Sequence, residues 1–177
     1  MKLPSLLAVA VLAVASSAFA QLAPLSPDGF VRLETIVNEF ATNPDAATAK
    51  YNGKRIIVYG PVASLSQNGD SVKGHPLTVY LKLQNQAAAD VKAEFSQAEI
   101  PAGYQDAQIQ VDGDQASIFH RNRLGEVVRQ RPFISVGENI AVHGTFDRFK
   151  VGDIVLKDCR KVAPRRVKEL LSDNRGN

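Results

Sequence analysis

The chain has 177 residues, a formal net charge of +3, one cysteine and no tryptophan. That length suits one domain with a single hydrophobic core. A lone cysteine excludes an internal disulfide framework, so the burial of apolar side chains has to supply the stability.

The first twenty residues predict a secretory signal peptide. Lys2 supplies a positive start, residues 3–15 are almost wholly apolar, and Ala18-Phe19-Ala20 places small residues where signal peptidase cleaves. A membrane anchor is the alternative, but a span needs about 20 apolar residues, which is more than this run contains. We therefore expect cleavage after Ala20, a periplasmic or secreted protein, and no transmembrane span in the mature chain.

Residues 21–52 predict a helical segment. Ser26-Pro27-Asp28 combines the capping hydroxyl, early proline and acid that are typical of a helix start. Apolar residues then recur at helical spacing, at Phe30, Leu33, Val37 and Phe40. A second short turn ends at Asn52-Gly53, and we expect both elements to cover one end of a barrel.

One strand pattern occurs twice. Residues 53–60 (GKRIIVYG) and 137–144 (GENIAVHG) share the template G-x-x-I-x-V-x-G. In each copy a turn glycine precedes two β-branched residues that lie two apart, so both point to one side of a strand. A second glycine then allows a sharp bend or a bulge. This is the pattern of a strand in a small curled barrel.

Further strands follow at about residues 77–83 and 91–95, and the last one is predicted at about 153–162. The stretch 104–133 reads as an insertion, with a hairpin around Asp112-Gly113-Asp114 and a short strand at Val127 and Val128. Pro164 opens a basic helix within residues 164–177.

Together these elements predict a mainly β protein. We expect a five-stranded, partly open OB-type barrel over residues 53–163, with an N-terminal helix, an inserted hairpin between strands 3 and 4, and a C-terminal helix.

At this point the chain resembles a known group. The order Tyr51-Asn52-Gly53-Lys54-x-Ile56-x-Val58-x-Gly60, then Val79-x-Leu81, Val91-x-Ala93-x-Phe95 and Val155-Leu156-x-Asp158-Cys159, is similar to exported bacterial OB-fold proteins of the tRNA-anticodon-domain-like (tRNA_anti-like) group. The likeness covers roughly residues 46–162 apart from the insertion. It implies a barrel related to nucleic-acid-binding proteins, and it carries over no catalytic residues.

Positive charge is concentrated in the second half. Residues 120–177 contain thirteen Lys/Arg against seven Asp/Glu, whereas residues 21–119 contain seven against eleven. Such a basic half favours polyanions, although a solvated face is the simpler explanation. One cluster is His120, Arg121, Arg123, Arg129 and Arg131; the other is Lys157, Arg160, Lys161, Arg165, Arg166 and Lys168.

The predicted ligand-binding residues follow from the usual binding face of such barrels and from these clusters. Cations hold phosphate groups, and aromatic rings stack on bases. The candidates are Arg55, Tyr59, Tyr80, Lys82, Lys92, Arg121, Arg123, Arg129, Arg131, Arg165, Arg166 and Lys168.

The sequence favours an exported, non-enzymatic binding module whose ligand is an anionic polymer, nucleic acid-like, or an envelope protein partner. One alternative is a metal-dependent nuclease of the thermonuclease type that uses Asp112 and Asp114, and another is a structural or assembly protein of the envelope. The three histidines lack metal-type spacing, so we expect no cofactor and no metal. Cys159 is expected to be a buried, inert thiol.

Overall fold

The computed structural model describes residues 22–67, 76–83, 89–96, 107–150 and 152–173, so the predicted signal peptide lies outside the described residues. Three helices are described: α1 (Leu33–Thr42), α2 (Pro44–Tyr51) and α3 (Pro164–Asp173). The described strands are β1 (Phe30–Arg32), β2 (Arg55–Gln67), β3 (Leu77–Leu81), β4 (Asp90–Phe95), β5 (Ala107–Asp112), β6 (Gln115–Arg121), β7 (Val127–Ser135), β8 (Asn139–Lys150) and β9 (Asp153–Lys161).

Five strands close into a barrel in the order β2, β3, β4, β9, β8 and back to β2. The β4–β9 pair is parallel and the other four pairs are antiparallel. The short strand β1 adds to the sheet by pairing in parallel with the first half of β2. The predicted OB-type barrel is confirmed.

The two copies of the glycine-bounded pattern are direct partners in this barrel. β2 and β8 pair antiparallel with Val58 opposite Val142, and each closing glycine lies opposite the isoleucine of the other copy. The four β-branched residues of the template, Ile56, Val58, Ile140 and Val142, are buried in the core. The repeated template therefore encodes the seam at which the barrel closes.

The closing glycines make room for core side chains. A Cβ at Gly60 would lie 2.6 Å from Leu33 Cδ2, and a Cβ at Gly144 would lie 2.5 Å from Cys159 Sγ. Both distances are shorter than any real carbon contact, so only glycine lets Leu33 and Cys159 pack against these strands. β9 has a bulge next to Cys159, where Asp158 takes a φ of 52°.

Helix α1 packs its apolar stripe into the core, with Leu33, Ile36, Val37 and Phe40 buried. The Phe40 ring lies 5.7 Å from that of Phe146, measured between centroids, on β8. This fits the expected role of the helix as a cover over the barrel core.

The helix does not begin at Ser26, as the sequence predicted. Ser26 Oγ donates to Asp28 Oδ1, and the same carboxylate oxygen accepts from the Phe30 amide, so this segment is a turn that leads into β1. The sequence signal was misleading because an acid and a hydroxyl at this spacing bond to the backbone equally well in a turn. Phe30 accordingly packs in a second apolar cluster, with Ile57, Ala141 and Leu170.

The insertion is larger than the predicted hairpin. β5, β6 and β7 form a separate three-stranded antiparallel sheet, and β7 runs for nine residues. The Gln67 side chain ties this sheet to the barrel, because its Oε1 accepts from the Val111 amide at 3.0 Å and its Nε2 donates to the Ile109 carbonyl. The Phe133 and Phe95 rings meet edge to face with 5.9 Å between centroids, which extends the barrel core beneath the insertion.

Gly144→Ala tests the packing at the seam. The added methyl would meet Cys159 Sγ at 2.5 Å and the Lys157 carbonyl oxygen at 3.1 Å, so we expect the free energy of unfolding to fall by about 1–3 kcal/mol. Adding Cys159→Ala should recover part of this loss, which gives a favourable coupling energy in a double-mutant cycle of denaturant unfolding. Additive effects of the two changes would contradict the packing account.

Cys159 provides a second test. Its side chain is fully buried, and this burial raises the pKa of the thiol well above its usual value. We expect no reaction of the native protein with a thiol-specific disulfide reagent at neutral pH, and one equivalent of reaction after unfolding in guanidinium chloride. Rapid reaction of the native protein would show that the thiol is accessible.

Candidate nucleic-acid interface

The outward face of β3 and β4 holds the first predicted site residues. Val79 and Leu81 point into the core, and the half-buried Tyr80 alternates with them. Tyr80 lies directly opposite Lys92 of β4, and paired residues of an antiparallel ladder share a face. Tyr80 and Lys92 therefore share the outward side of these strands, as the sequence predicted.

The same row continues across the next two strands. Lys92 lies beside Val155 of β9, and Val155 lies opposite Arg148 of β8. With about 4.8 Å between neighbouring strands, the row from Tyr80 to Arg148 spans about 14 Å. It carries a ring, a cation, an aliphatic side chain and a second cation from four adjacent strands.

A bulge in β8 concentrates positive charge at the end of this row. Asp147 is the extra residue between the pairs Phe146–Leu156 and Arg148–Val155. Its carboxylate accepts from Lys157 Nζ at 2.8 Å and also contacts the Arg148 guanidinium. Since one acid serves two cations, a net positive charge remains here, and both cations are exposed enough to reach a ligand.

The predicted lysines of β3 and β4 already have acidic partners. Lys92 Nζ lies 3.0 Å from Glu94 Oε1, and Lys82 Nζ lies 3.3 Å from Asp90 Oδ1. The hydrogen bond to Glu94 raises the pKa of Lys92. These two lysines therefore offer a ligand less unbalanced charge than Arg148 and Lys157 do.

Arg55 and Tyr59 lie away from Tyr80. They belong to the half of β2 that pairs with β8, whereas Tyr80 lies opposite Ser64 in the other half. The Tyr59 ring lies 6.5 Å from the Phe30 ring, measured between centroids, and packs in the apolar cluster beneath α3. A base could stack on Tyr59 only by displacing these contacts.

The arginines of the insertion are divided between the two faces of its sheet. Arg129 lies opposite His120, and Arg131 opposite Ile118, which is a core residue, so these arginines are on the face that turns to the barrel. Arg121 donates from Nε to Gln108 Oε1 on the other face, and the exposed Arg123 lies in the β6–β7 turn.

The cations of α3 form a third, separate group. Arg165, Arg166 and Lys168 are exposed, and Glu169 pairs with both Arg165 and Arg166. Leu170 fixes this helix against Ile57, near the start of β2, whereas the insertion is attached at Gln67, at its end. Ile57 and Gln67 are ten residue steps apart, which corresponds to at most about 33 Å along the strand. The predicted site residues therefore occupy three surfaces.

Sequence reasoning did not include Arg148 among the candidates, and it assigned Lys157 to a basic cluster without placing it on the outward face that carries Tyr80 and Lys92. The Asp147 bulge breaks the alternation of β8, so counting outward positions from Ile140 fails beyond Phe146. The sequence signal that could have placed Arg148 on the surface is the run Asp147-Arg148-Phe149-Lys150, in which charged residues lie on both sides of an apolar residue at the end of a strand.

Asp112 and Asp114 flank Gly113, with a φ of 53°, in the turn between β5 and β6. This confirms the predicted hairpin. In the part of the chain that the structure describes, no group of three or more His, Cys, Asp and Glu could hold a metal ion. None of the described helices is long and apolar enough to cross a membrane.

The Lys92–Glu94 contact can be measured directly. We expect the Lys92 ammonium to titrate above the usual 10.5, and Glu94→Gln should lower its pKa because the charged partner is lost. A side-chain NMR titration of both proteins checks this. Because both side chains are only partly exposed, the free energy of unfolding should fall by about 1 kcal/mol, near the upper end of the range for surface pairs. Equal pKa values in both proteins would show that the contact is absent in solution.

Comparison with known proteins places these features in context. The tRNA_anti-like family model matches residues 5–160. The crystal structure of a candidate nucleic acid-binding lipoprotein from Klebsiella pneumoniae subsp. pneumoniae MGH 78578 is similar, with a TM-score of 0.49 and 15% sequence identity over 76% of this chain and 91% of that chain. A search of curated proteins gives no significant match. The family match covers all five barrel strands except the last residue of β9.

Proposed function

Because the chain belongs to the tRNA_anti-like family, we propose that it is an exported, non-enzymatic OB-fold module that binds a single-stranded anionic polymer of the nucleic-acid type. The observation that carries this proposal is the outward row from Tyr80 to Arg148, with Lys157 beside it. Barrels of this class bind oligonucleotides on the face of their second and third strands. These strands correspond to β3 and β4 here, and the row continues from them across β9 and β8.

Each part of the row has a distinct task. Arg148 and Lys157 bind successive phosphates, because together they carry more charge than Asp147 neutralises. The Tyr80 ring stacks on a base, which needs no particular base identity. Val155 is almost fully buried, so it separates the ring and the cations of the row without adding a charge or a polar group.

The acids on the same face limit the affinity. In the free protein, Lys92 forms an ion pair with Glu94, and Lys82 forms one with Asp90. A phosphate therefore has to compete with each carboxylate for its lysine. We therefore expect modest affinity that weakens strongly as salt rises, and little preference for sequence.

Fluorescence anisotropy with a labelled single-stranded oligonucleotide tests the proposal. Tyr80→Ala should weaken binding by about 1–3 kcal/mol through loss of stacking. Arg148→Gln with Lys157→Gln should lower the slope of log K against log salt by about 1.4, which corresponds to two lost phosphate contacts on a single strand. Asp147→Asn should strengthen binding because it releases both cations.

The matched control is Arg165→Gln with Arg166→Gln, which removes the same charge from α3. This control should keep the salt slope and most of the affinity. Equal losses in the two double variants would indicate attraction by net charge alone. Affinity that is independent of salt, or absent at low salt, would overturn the proposal.

A further inference from the structure

The turn between β6 and β7 has an exposed apolar tip. Among the described residues, three large apolar side chains are strongly exposed, and all three lie here: Leu124 at 84%, Val128 at 63% and Val127 at 45%. Val128 is the extra residue of a bulge between the pairs Arg121–Val127 and His120–Arg129. Exposed aliphatic groups gathered at one tip, outside the core, point to a binding surface.

The tip is held in one conformation by its own hydrogen bonds. Asn122 Oδ1 accepts from the amides of Leu124 and Glu126, and its Nδ2 donates to Glu126 Oε2. The Gly125 amide donates to the Asn122 carbonyl, while Arg121 Nη1 donates to the Gly125 carbonyl. Because the turn is already ordered, presenting Leu124 to a partner costs little conformational entropy.

Cations surround this apolar tip. Arg121, Arg123 and Arg129 are exposed on either side of Leu124, and Glu126 is the single acid between residues 121 and 131. An apolar tip with exposed arginines in the turn and on both faces of its sheet complements a surface that has anionic groups outside and hydrocarbon beneath. An anionic lipid bilayer has that layered structure, with phosphate at the headgroup level and acyl chains below.

We propose that the β6–β7 tip docks the protein on anionic bilayers: Leu124, Val127 and Val128 enter the acyl boundary, and Arg121, Arg123 and Arg129 bind headgroup phosphates. A nucleic acid offers phosphates but no apolar layer for Leu124, and a second copy of this tip would repel the first through the same arginines. This inference is independent of the proposed barrel-face function, since it uses none of the residues in the row from Tyr80 to Arg148.

The chain contains no tryptophan, so Leu124→Trp creates a unique fluorescent reporter at the tip. Its emission should shift to the blue when vesicles of mixed phosphatidylglycerol and phosphatidylcholine are added, and lipids brominated on the acyl chain should quench it. The matched control is Ala163→Trp, an exposed position just before α3, where neither effect should occur. A shift at both positions, or at neither, would overturn the proposal.

Vesicle co-sedimentation then separates the contribution of the apolar side chains to bilayer binding from that of the arginines. Leu124→Ser with Val128→Ser should reduce partitioning at least tenfold, and Arg123→Gln with Arg129→Gln should reduce it about fivefold for each arginine. The control Arg165→Gln with Arg166→Gln should stay within about twofold of the unmodified protein, as should oligonucleotide binding by the serine variant. Vesicles of phosphatidylcholine alone should bind weakly.

Three results would overturn the docking proposal. Equal partitioning of the serine variant and the unmodified protein would show that the tip does not enter the bilayer. Loss of oligonucleotide binding in that variant would assign the tip to the polymer site. A change in sedimentation velocity without lipid would assign it to self-association. Failure of oligonucleotide binding in the unmodified protein would leave this inference standing, because the two surfaces share no residue.

Discussion

The antiparallel pairing of β2 with β8 is the constraint on which the rest of the structure depends. Seven consecutive residue pairs join the strands, from Arg55–Thr145 to Pro61–Asn139. Without this seam, the five strands would form an open sheet in the order β2, β3, β4, β9, β8, with unpaired edges on β2 and β8. The two closing glycines allow the curl because each admits a core side chain where any Cβ would collide.

Closure also decides where ligands can reach the molecule. The interior is filled by side chains, so the chemistry available to a partner lies on the outer face. One part of that face is covered by β1 and α3, because Phe30 of β1 and Leu170 of α3 pack in one apolar cluster with Ile57 and Tyr59. Another part, across β3, β4, β9 and β8, carries the row that ends in Arg148, with Lys157 beside it. The inserted sheet projects a third surface with a different character, apolar at its tip and cationic around it.

Much of this architecture could be read from the sequence, because turn glycines and alternation of apolar residues are local signals. The barrel, its insertion and its final helix all follow from them. Two features could not be predicted in the same way. The sequence Ser26-Pro27-Asp28 is compatible with both a turn and a helix start. The structure has the turn, because Phe30 pairs with β2 and packs against Ile57, Ala141 and Leu170. The bulges at Asp147 and Asp158 shift which side chains face outward, and such shifts depend on pairing with distant strands. Tyr80 and Lys92 of the outward row were accordingly predicted from the sequence, and Arg148 was missed.

Mapping the bound polymer on the protein by amide chemical shifts tests the account most directly. Titration of isotopically labelled protein with a single-stranded oligonucleotide should shift the amides of Tyr80, Lys92, Val155 and Arg148 together, with one apparent affinity. The amides of α3 and of the β6–β7 turn should move little. Shifts that are confined to α3, or spread evenly over all basic residues, would contradict the proposal that the polymer binds the outward face of β3, β4, β9 and β8.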